Sequence, residues 1–220
     1  TAHCVGRDRR LLEGASRRYL LERASRRRGN PRRRRQQRLH WRSSILAAIR
    51  CAPALETERL ILRAHEAGDL DACFAMWSDA RVVRHISGTP STREECWARL
   101  LRYAGLWPLA GYGYWAVVEK ATGRFAGDVG LADFRRELDP PQVIAPEAGW
   151  VIAPFAQGQG YATEAMQAIL AWADATLATP HTYCILDAEN KPSVRVAEKC
   201  GYRPLAQITY KTWPTALYRR

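Results

Sequence analysis

Residues 149–165, GWVIAPFAQGQGYATEA, leave this chain few folds to choose from, because an apolar extended run passes through Pro154 into a glycine-bearing turn and then directly into a helical stretch. Pro154 cannot donate to a strand ladder, so the strand stops there. Gly158 and Gly160 open backbone angles closed to other residues, and Tyr161 begins a run with helical apolar spacing. Strand, turn and helix in direct succession belong to a layered α/β domain. The turn itself has two readings. Successive N–H groups at the positive end of a helix hold an anion such as a pyrophosphate, or the glycines serve a plain tight connection. It is not a P-loop, since no Lys-Ser or Lys-Thr pair follows the glycines, and it is not a GxGxxG fingerprint, since Thr163 stands at the third glycine position.

The flanking sequence supplies the other layers. Residues 59–65 (RLILRAH) place Leu60 and Leu62 on one strand face and Ile61 on the other. Gly68 and Asp69 cap a helix to about Ser78 with Leu70, Phe74 and Trp77 at helical spacing, and Ser91 with Glu94 makes a capping box for a second helix that turns Trp97, Leu100 and Leu101 inward. Strands follow at 112–119 and 125–134, joined by a turn containing Gly123, and at 148–152. A long helix from Tyr161 to about Leu177 carries Ala165, Ile169 and Trp172 on one face; then come a strand at 182–186, a short helix at 192–200 closed by Gly201, and strands at 202–210 and 215–218. This order, without internal repeats, predicts a mixed sheet covered by helices.

Charge divides the chain. Of its net +12, residues 1–53 contribute +13, from 16 Arg against Asp8, Glu13 and Glu22, and residues 54–220 contribute −1. A short helical patch at 43–49 ends before Pro53, so residues 1–53 are read as a basic, disordered arm and 54–220 as the domain. The arm is open to two readings, a phosphate-neutralising contact with RNA or the ribosome, or a segment without function of its own, either a solvated, disordered tail or a misassigned start that adds translated upstream sequence. No apolar run approaches the ~20 residues of a membrane span. Six cysteines without a CxxC pair and scattered His65, His85 and His181 point to free thiols in a reducing cytoplasm and to no metal.

Gln157-Gly158-Gln159-Gly160-Tyr161-Ala162 resembles the Q/R-x-x-G-x-G/A signature of the GNAT superfamily of N-acetyltransferases. Further blocks match the subgroup of ribosomal-protein alanine acetyltransferases (RimJ/RimL type): Glu56-Thr57-Glu58-Arg59-Leu60, residues 115–119 with Gly127, residues 147–154, and Asn190 and Ser193 leading through Glu198 and Lys199 to Gly201-Tyr202. The resemblance runs from about residue 55 to the C-terminus and does not include the arm. It implies a GNAT-like, mostly antiparallel sheet with helices on both faces and a splayed central strand pair. It also implies acetyl transfer from acetyl-CoA to a primary amine by direct attack, in a monomer or homodimer, with a protein N-terminus or a small molecule as acceptor; the alternative is a non-catalytic CoA-binding or RNA-binding module on the same scaffold. Carried over residue by residue, the N–H groups of Gln157, Gly158, Gln159, Gly160, Tyr161 and Ala162 would take the pyrophosphate. Main-chain groups of Trp150, Val151 and Ile152 would pair with the pantetheine arm, and Asn190 and Ser193 would lie near it; those two residues also form an ordinary helix-start pair.

Acyl transfer to an amine needs a group that takes a proton from the ammonium. Glu147, at the start of the strand leading into the turn, is the candidate base, with a carboxylate at a strand's wet end as the plainer alternative. The family's frequent general acid, a Tyr seven positions after the helix-start Asn, is Ala197 here, which leaves Tyr202, a water or an unassisted thiolate. A backbone N–H near Ile152 would polarise the thioester carbonyl. Trp107, Tyr112, Tyr114 and the loops at 105–112 and 135–146 are candidates for the acceptor pocket, with core packing as the alternative for Tyr114.

Overall fold

The computed structural model describes residues 50–220, so the basic arm, apart from its last four residues, lies outside the described residues. The packed domain begins slightly earlier than Ala54: Ala52 is buried, and the Pro53 carbonyl accepts a 2.7 Å hydrogen bond from Trp115 Nε1.

In chain order the elements are β1 (Leu55–Glu56), β2 (Leu60–Arg63), α1 (Leu70–Trp77), α2 (Ala80–Val83), α3 (Arg93–Ala110), β3 (Tyr114–Glu119), β4 (Phe125–Ala132), β5 (Leu138–Asp139), β6 (Glu147–Ile152), α4 (Tyr161–Thr176), β7 (Tyr183–Leu186), α5 (Lys191–Lys199), β8 (Arg203–Tyr210) and β9 (Trp213–Arg219). They build one sheet in the order β1-β2-β3-β4-β6-β7-β9-β8-β5. Every neighbouring pair is antiparallel except β6 and β7, which run parallel. The result is the mixed, mostly antiparallel α/β architecture expected above.

Alternation along β4 assigns the two faces. Val129 and Leu131 enter a core shared with Ala165, Met166 and Ile169 of α4. Asp128 and Gly130 face the opposite layer, where Trp77 of α1 and Tyr103 of α3 lie. Two buried polar ties hold that layer to the sheet: His65 Nε2 and Trp77 Nε1 each lie 2.8 Å from an oxygen of the fully buried Asp128.

The start of α3 differs from the expectation. Its capping box is Thr92 with Glu95, one residue later than Ser91 with Glu94, and Ser91 instead donates its backbone N–H to the Trp77 carbonyl. The sequence STREE offers both registers, and burial selects the one that turns Cys96, Leu100, Tyr103 and Trp107 inward. Trp97 and Leu101 therefore point outward, 40% and 55% exposed. At α1, Asp69 does not cap the helix by its side chain; it accepts from the Glu66 N–H and pairs with Arg63.

Residues 133–146 make a long excursion. They leave β4, reach the far edge of the sheet where Leu138 pairs with Tyr210, and return to β6. Leu138 and Ile144 anchor this crossing against Ile208 and Leu217.

Candidate active site

The parallel contact between β6 and β7 consists of a single register pair, Glu147 with Tyr183, supported by the Tyr183 N–H on the Pro146 carbonyl at 3.0 Å. Beyond it the two strands diverge. β6 stays zipped to β4 throughout, and β7 stays zipped to β9, so a slot opens between them in the middle of the sheet. The Ala153 N–H donates to Ala126, and the Val151 carbonyl points at β4, so close that a Cβ built on Gly127 would lie 2.2 Å from it. Main-chain groups alternate sides along an antiparallel strand, so Trp150 and Ile152 turn theirs toward the slot and Val151 does not. This narrows the expected trio to two. Gln157 Nε2 donates to the Ile152 carbonyl, which leaves the Ile152 N–H and both groups of Trp150 facing the opening. Buried backbone groups need partners, and an extended chain bearing amides supplies them in the way an added strand would.

At the open end of the slot the chain turns through residues 157–160 into α4. Gly160 is the N-cap, at φ 83°, and has no side chain to offer the helix. The first intrahelical bond runs from the Glu164 N–H to the Gly160 carbonyl, so the N–H groups of Tyr161, Ala162 and Thr163 are turned outward. Gly158 sits at φ 77° with no atom within 4 Å of where a Cβ would be. Bare glycines, unclaimed N–H donors and the positive end of a 16-residue helix fit a diphosphate.

A carboxylate in the first turn of α4 would oppose that ligand, and Glu164 stands there. It is neutralised by the ETER segment: Thr57 Oγ1 donates to Glu164 at 2.6 Å, the Arg59 N–H at 2.9 Å and Arg59 Nε at 2.8 Å. These bonds hold the Glu164 carboxyl below the usual carboxylate range despite partial burial. Arg59 also donates to the Gln159 carbonyl at 3.0 Å, which fixes the turn, and lies over the Tyr161 ring.

The closed end of the slot carries Glu147. It is buried, and both its oxygens accept from Arg136, at 2.6 and 2.7 Å. Burial pushes the Glu147 carboxyl up, and the Arg136 guanidinium only partly offsets this. On the same face of β6, two residues further, Gly149 lies beneath Tyr114. The Tyr114 ring runs from β3 across Gly130 of β4 to Gly149, whose missing Cβ would fall 2.1 Å from the hydroxyl. Burial keeps that hydroxyl protonated far above neutral pH. Beside Glu147 and Arg136 is a cavity of about 180 Å³, bordered by the excursion through Asp133, Phe134, Gln142 and Ile144.

The remaining expected residues are placed as follows. Tyr202 is fully buried with its hydroxyl 2.9 Å from Thr182 Oγ1, in the core and not in the slot. Asn190 caps α5 through Oδ1, which accepts the Ser193 N–H at 3.3 Å; the cap leaves the side-chain N–H₂ group for a second partner. Cys184 is buried in β7 with its thiol pushed up by burial, as inert packing. Trp107 is core, stacked edge-on to Trp115. Tyr114, a candidate for the acceptor pocket with core packing as the alternative, lies against β6 at Gly149, while Arg136 and Arg59, present in the sequence reading only as members of the 135–146 loop and the ETERL block, become the partners of Glu147 and of the Gln159 turn. For Tyr114 the signal was the pair of glycines, Gly130 and Gly149, in strands otherwise apolar.

Among the described residues no group of three or more His, Cys, Asp or Glu could hold a metal ion, and no helix is long and apolar enough to cross a membrane.

Known proteins share this fold. The acetyltransferase (GNAT) domain family model matches residues 59–203. YkkB of Bacillus subtilis, whose function is uncharacterized, is 30% identical over 170 residues, 76% of this chain and 94% of that protein. A putative GNAT-family acetyltransferase from Bordetella pertussis superposes with a TM-score of 0.68 at 30% identity, covering 77% of this chain and 99% of that one. RimL, a ribosomal L7/L12 α-N-protein acetyltransferase solved in complex with coenzyme A, shares the fold at 15% identity, with a TM-score of 0.61 and coverage of 76% and 97%. With its parted strands, bare helix N-terminus and family match, the chain belongs to the GNAT family of acetyltransferases.

Proposed function

We propose that the protein moves an acetyl group from acetyl-CoA to a primary amine by direct attack within a ternary complex. The carrying observation is the slot between β6 and β7, with diphosphate-binding N–H groups at its open end and a buried carboxylate at its closed end. When bound, acetyl-CoA supplies an electrophilic acyl carbon and a thiolate leaving group.

The residues have distinct tasks in this reading. N–H groups of residues 158–162 hold the diphosphate, the Gln157 N–H expected among them being given to the Pro154 carbonyl at 3.4 Å, and Trp150 and Ile152 pair with the amides of the arm. Asn190, the N-cap of α5, and Ser193, in its first turn, would lie near the arm from the helix that follows β7. Glu147 takes a proton from the acceptor's ammonium, because burial makes its carboxylate a stronger base than an exposed one. Tyr114, not Tyr202, is the hydroxyl beside β6. Being protonated at every working pH, it donates to developing negative charge and does not accept a proton. The acceptor is a protein N-terminus, as for the RimJ/RimL subgroup, or a small-molecule amine.

Thiol release over a panel of amines tests the reaction, and calorimetry with acetyl-CoA tests the cradle. Gly160→Glu places a side chain and a negative charge among the outward N–H groups; cofactor affinity is expected to fall at least tenfold, and unchanged affinity would overturn the cradle.

A further inference from the structure

Resting on that reading, we propose that the acceptor is a small zwitterionic amino acid with an apolar side chain, whose carboxylate is recognised by Arg136 and whose ammonium is recognised by Glu147. Arg136 is built to be read by a ligand. Its guanidinium lies over the rings of Phe134 and Tyr210, 4.7 and 4.5 Å from their centroids. Two of its five N–H donors go to Glu147, so its position is fixed while three donors remain. A carboxylate likewise keeps a lone pair on each oxygen after accepting two bonds. The pair therefore presents a donor fork and an acceptor edge side by side. That is the complement of a carboxylate and an ammonium held on one carbon atom.

The cavity agrees in size, charge and polarity. About 180 Å³ is below the ~300–1,000 Å³ of sites for drug-sized ligands, which favours a small acceptor. Its charges balance, Arg135 and Arg136 against Asp133 and Glu147, with Arg135 paired to Asp133 at 2.8 Å. An acceptor with net charge would leave one of these unmatched, whereas a zwitterion does not. Ile144 and Phe134 supply an apolar wall for a side chain.

The reaction balances on these groups. One ammonium proton passes to Glu147 and on to water. The nitrogen forms the new C–N bond as the C–S bond breaks, and its second proton goes to the thiolate. The products are an N-acetylamino acid, coenzyme A as thiol and one released proton.

The test uses L-leucine, L-leucinamide and isoamylamine, which share a side chain and differ at the carboxylate, together with a leucine-initiated tripeptide. Arg136 is a specificity residue here, so Arg136→Lys, which keeps a cation but loses the planar fork, is compared with the wild type. Expected are a kcat/KM for leucine at least tenfold above the other three, lost mainly through KM in Arg136→Lys. Calorimetric binding of leucine to the coenzyme A-bound protein should weaken in parallel while coenzyme A affinity holds. Leucinamide is the more easily deprotonated amine, so a preference for leucine cannot arise from reactivity. Equal or better transfer to the tripeptide or to isoamylamine overturns this proposal and leaves acetyl transfer standing. Leucine binding without transfer to any amine supports the recognition site and overturns the enzymatic reading.

Discussion

Gly149→Ala is the sharpest probe of the site because its consequence depends on one atom. A methyl group at position 149 would sit 2.1 Å from the Tyr114 hydroxyl oxygen, whereas the next nearest ring atom, Cζ, lies at 3.3 Å. The oxygen must retreat by about 1 Å in a layer where Tyr114 is stacked face to face on Tyr103 at 4.4 Å, an overpacking that costs about 1–3 kcal/mol. Removing that oxygen by Tyr114→Phe leaves only the tolerable 3.3 Å contact. In the Tyr114→Phe background, Gly149→Ala should therefore cost under about 1 kcal/mol, giving a favourable coupling of about 1–2 kcal/mol. Urea unfolding of the four proteins of this cycle measures it, at constant m-value. Heating gives a second reading, at roughly 2–4 °C per kcal/mol for a domain of this size. The catalytic consequence runs in parallel: Gly149→Ala displaces the hydroxyl and should lower kcat by about tenfold or more, consistent with the loss of one aligned donor. If Gly149→Ala costs the same in the Tyr114→Phe variant as in the wild type, the ring does not lie over Gly149 and the hydroxyl has no place at the site.

Other expectations follow from the same contacts. Glu147→Gln should retain near-normal acetyl-CoA affinity in calorimetry and lose most of kcat at neutral pH; full activity would remove it as the base. Because Glu147 must be ionised to take a proton and burial raises its pKa, the acid limb of the kcat/KM profile should lie above the range of an exposed Glu. The Arg136 cation lowers that pKa, so Arg136→Lys, with its looser grip, should move the limb further toward alkaline pH. Glu164→Ala removes the partner of Thr57 and Arg59 and should free the turn at Gln159; with Arg59 44% exposed, the ion pair itself should be worth under about 1 kcal/mol in unfolding. Acetyl-CoA affinity should change by a few-fold, read by calorimetry. For Asp69, pairing with Arg63 outweighs burial and holds the carboxyl low. A depressed carboxylate stabilises the fold above its unfolded pKa and loses that contribution as pH falls through its folded one. Asp69→Asn should therefore flatten the acid side of the stability profile, read from unfolding at stepped pH.

Local elements were readable from sequence because their causes are local. Pro154, the two turn glycines and the helical spacing after Tyr161 fix the strand, turn and helix that hold the open end of the slot. The faces of α3 were not, since residues 96, 100, 103 and 107 and residues 97, 101, 104 and 108 form two comparably apolar stripes, and tertiary burial chooses between them. The partnerships of the site are further out of reach. Glu164 meets Arg59 across 105 positions, and His65 meets Asp128 across 63. For the latter, the one hint in the sequence is an acidic residue inside the apolar run FAGDVGLA.

Glu147 shows why such partnerships decide chemistry. Read from sequence, a carboxylate at the head of a strand is either a base or a solvated end, and nothing local separates the two. In the fold, the excursion at 133–146 removes it from water and sets Arg136 against it, so that its basicity reflects two opposed effects. Burial alone would neutralise an isolated carboxyl, and an ion pair alone would make it a weak base. Together they leave an ionisable group of raised pKa beside a fixed cation, at the one end of the slot where β6 and β7 still touch. In the proposed reaction, proton acceptance and acceptor recognition would rest on the same pair of side chains. Changes at Arg136 should consequently alter both the pH limb and the ranking of acceptors, whereas changes at Arg59 should alter neither.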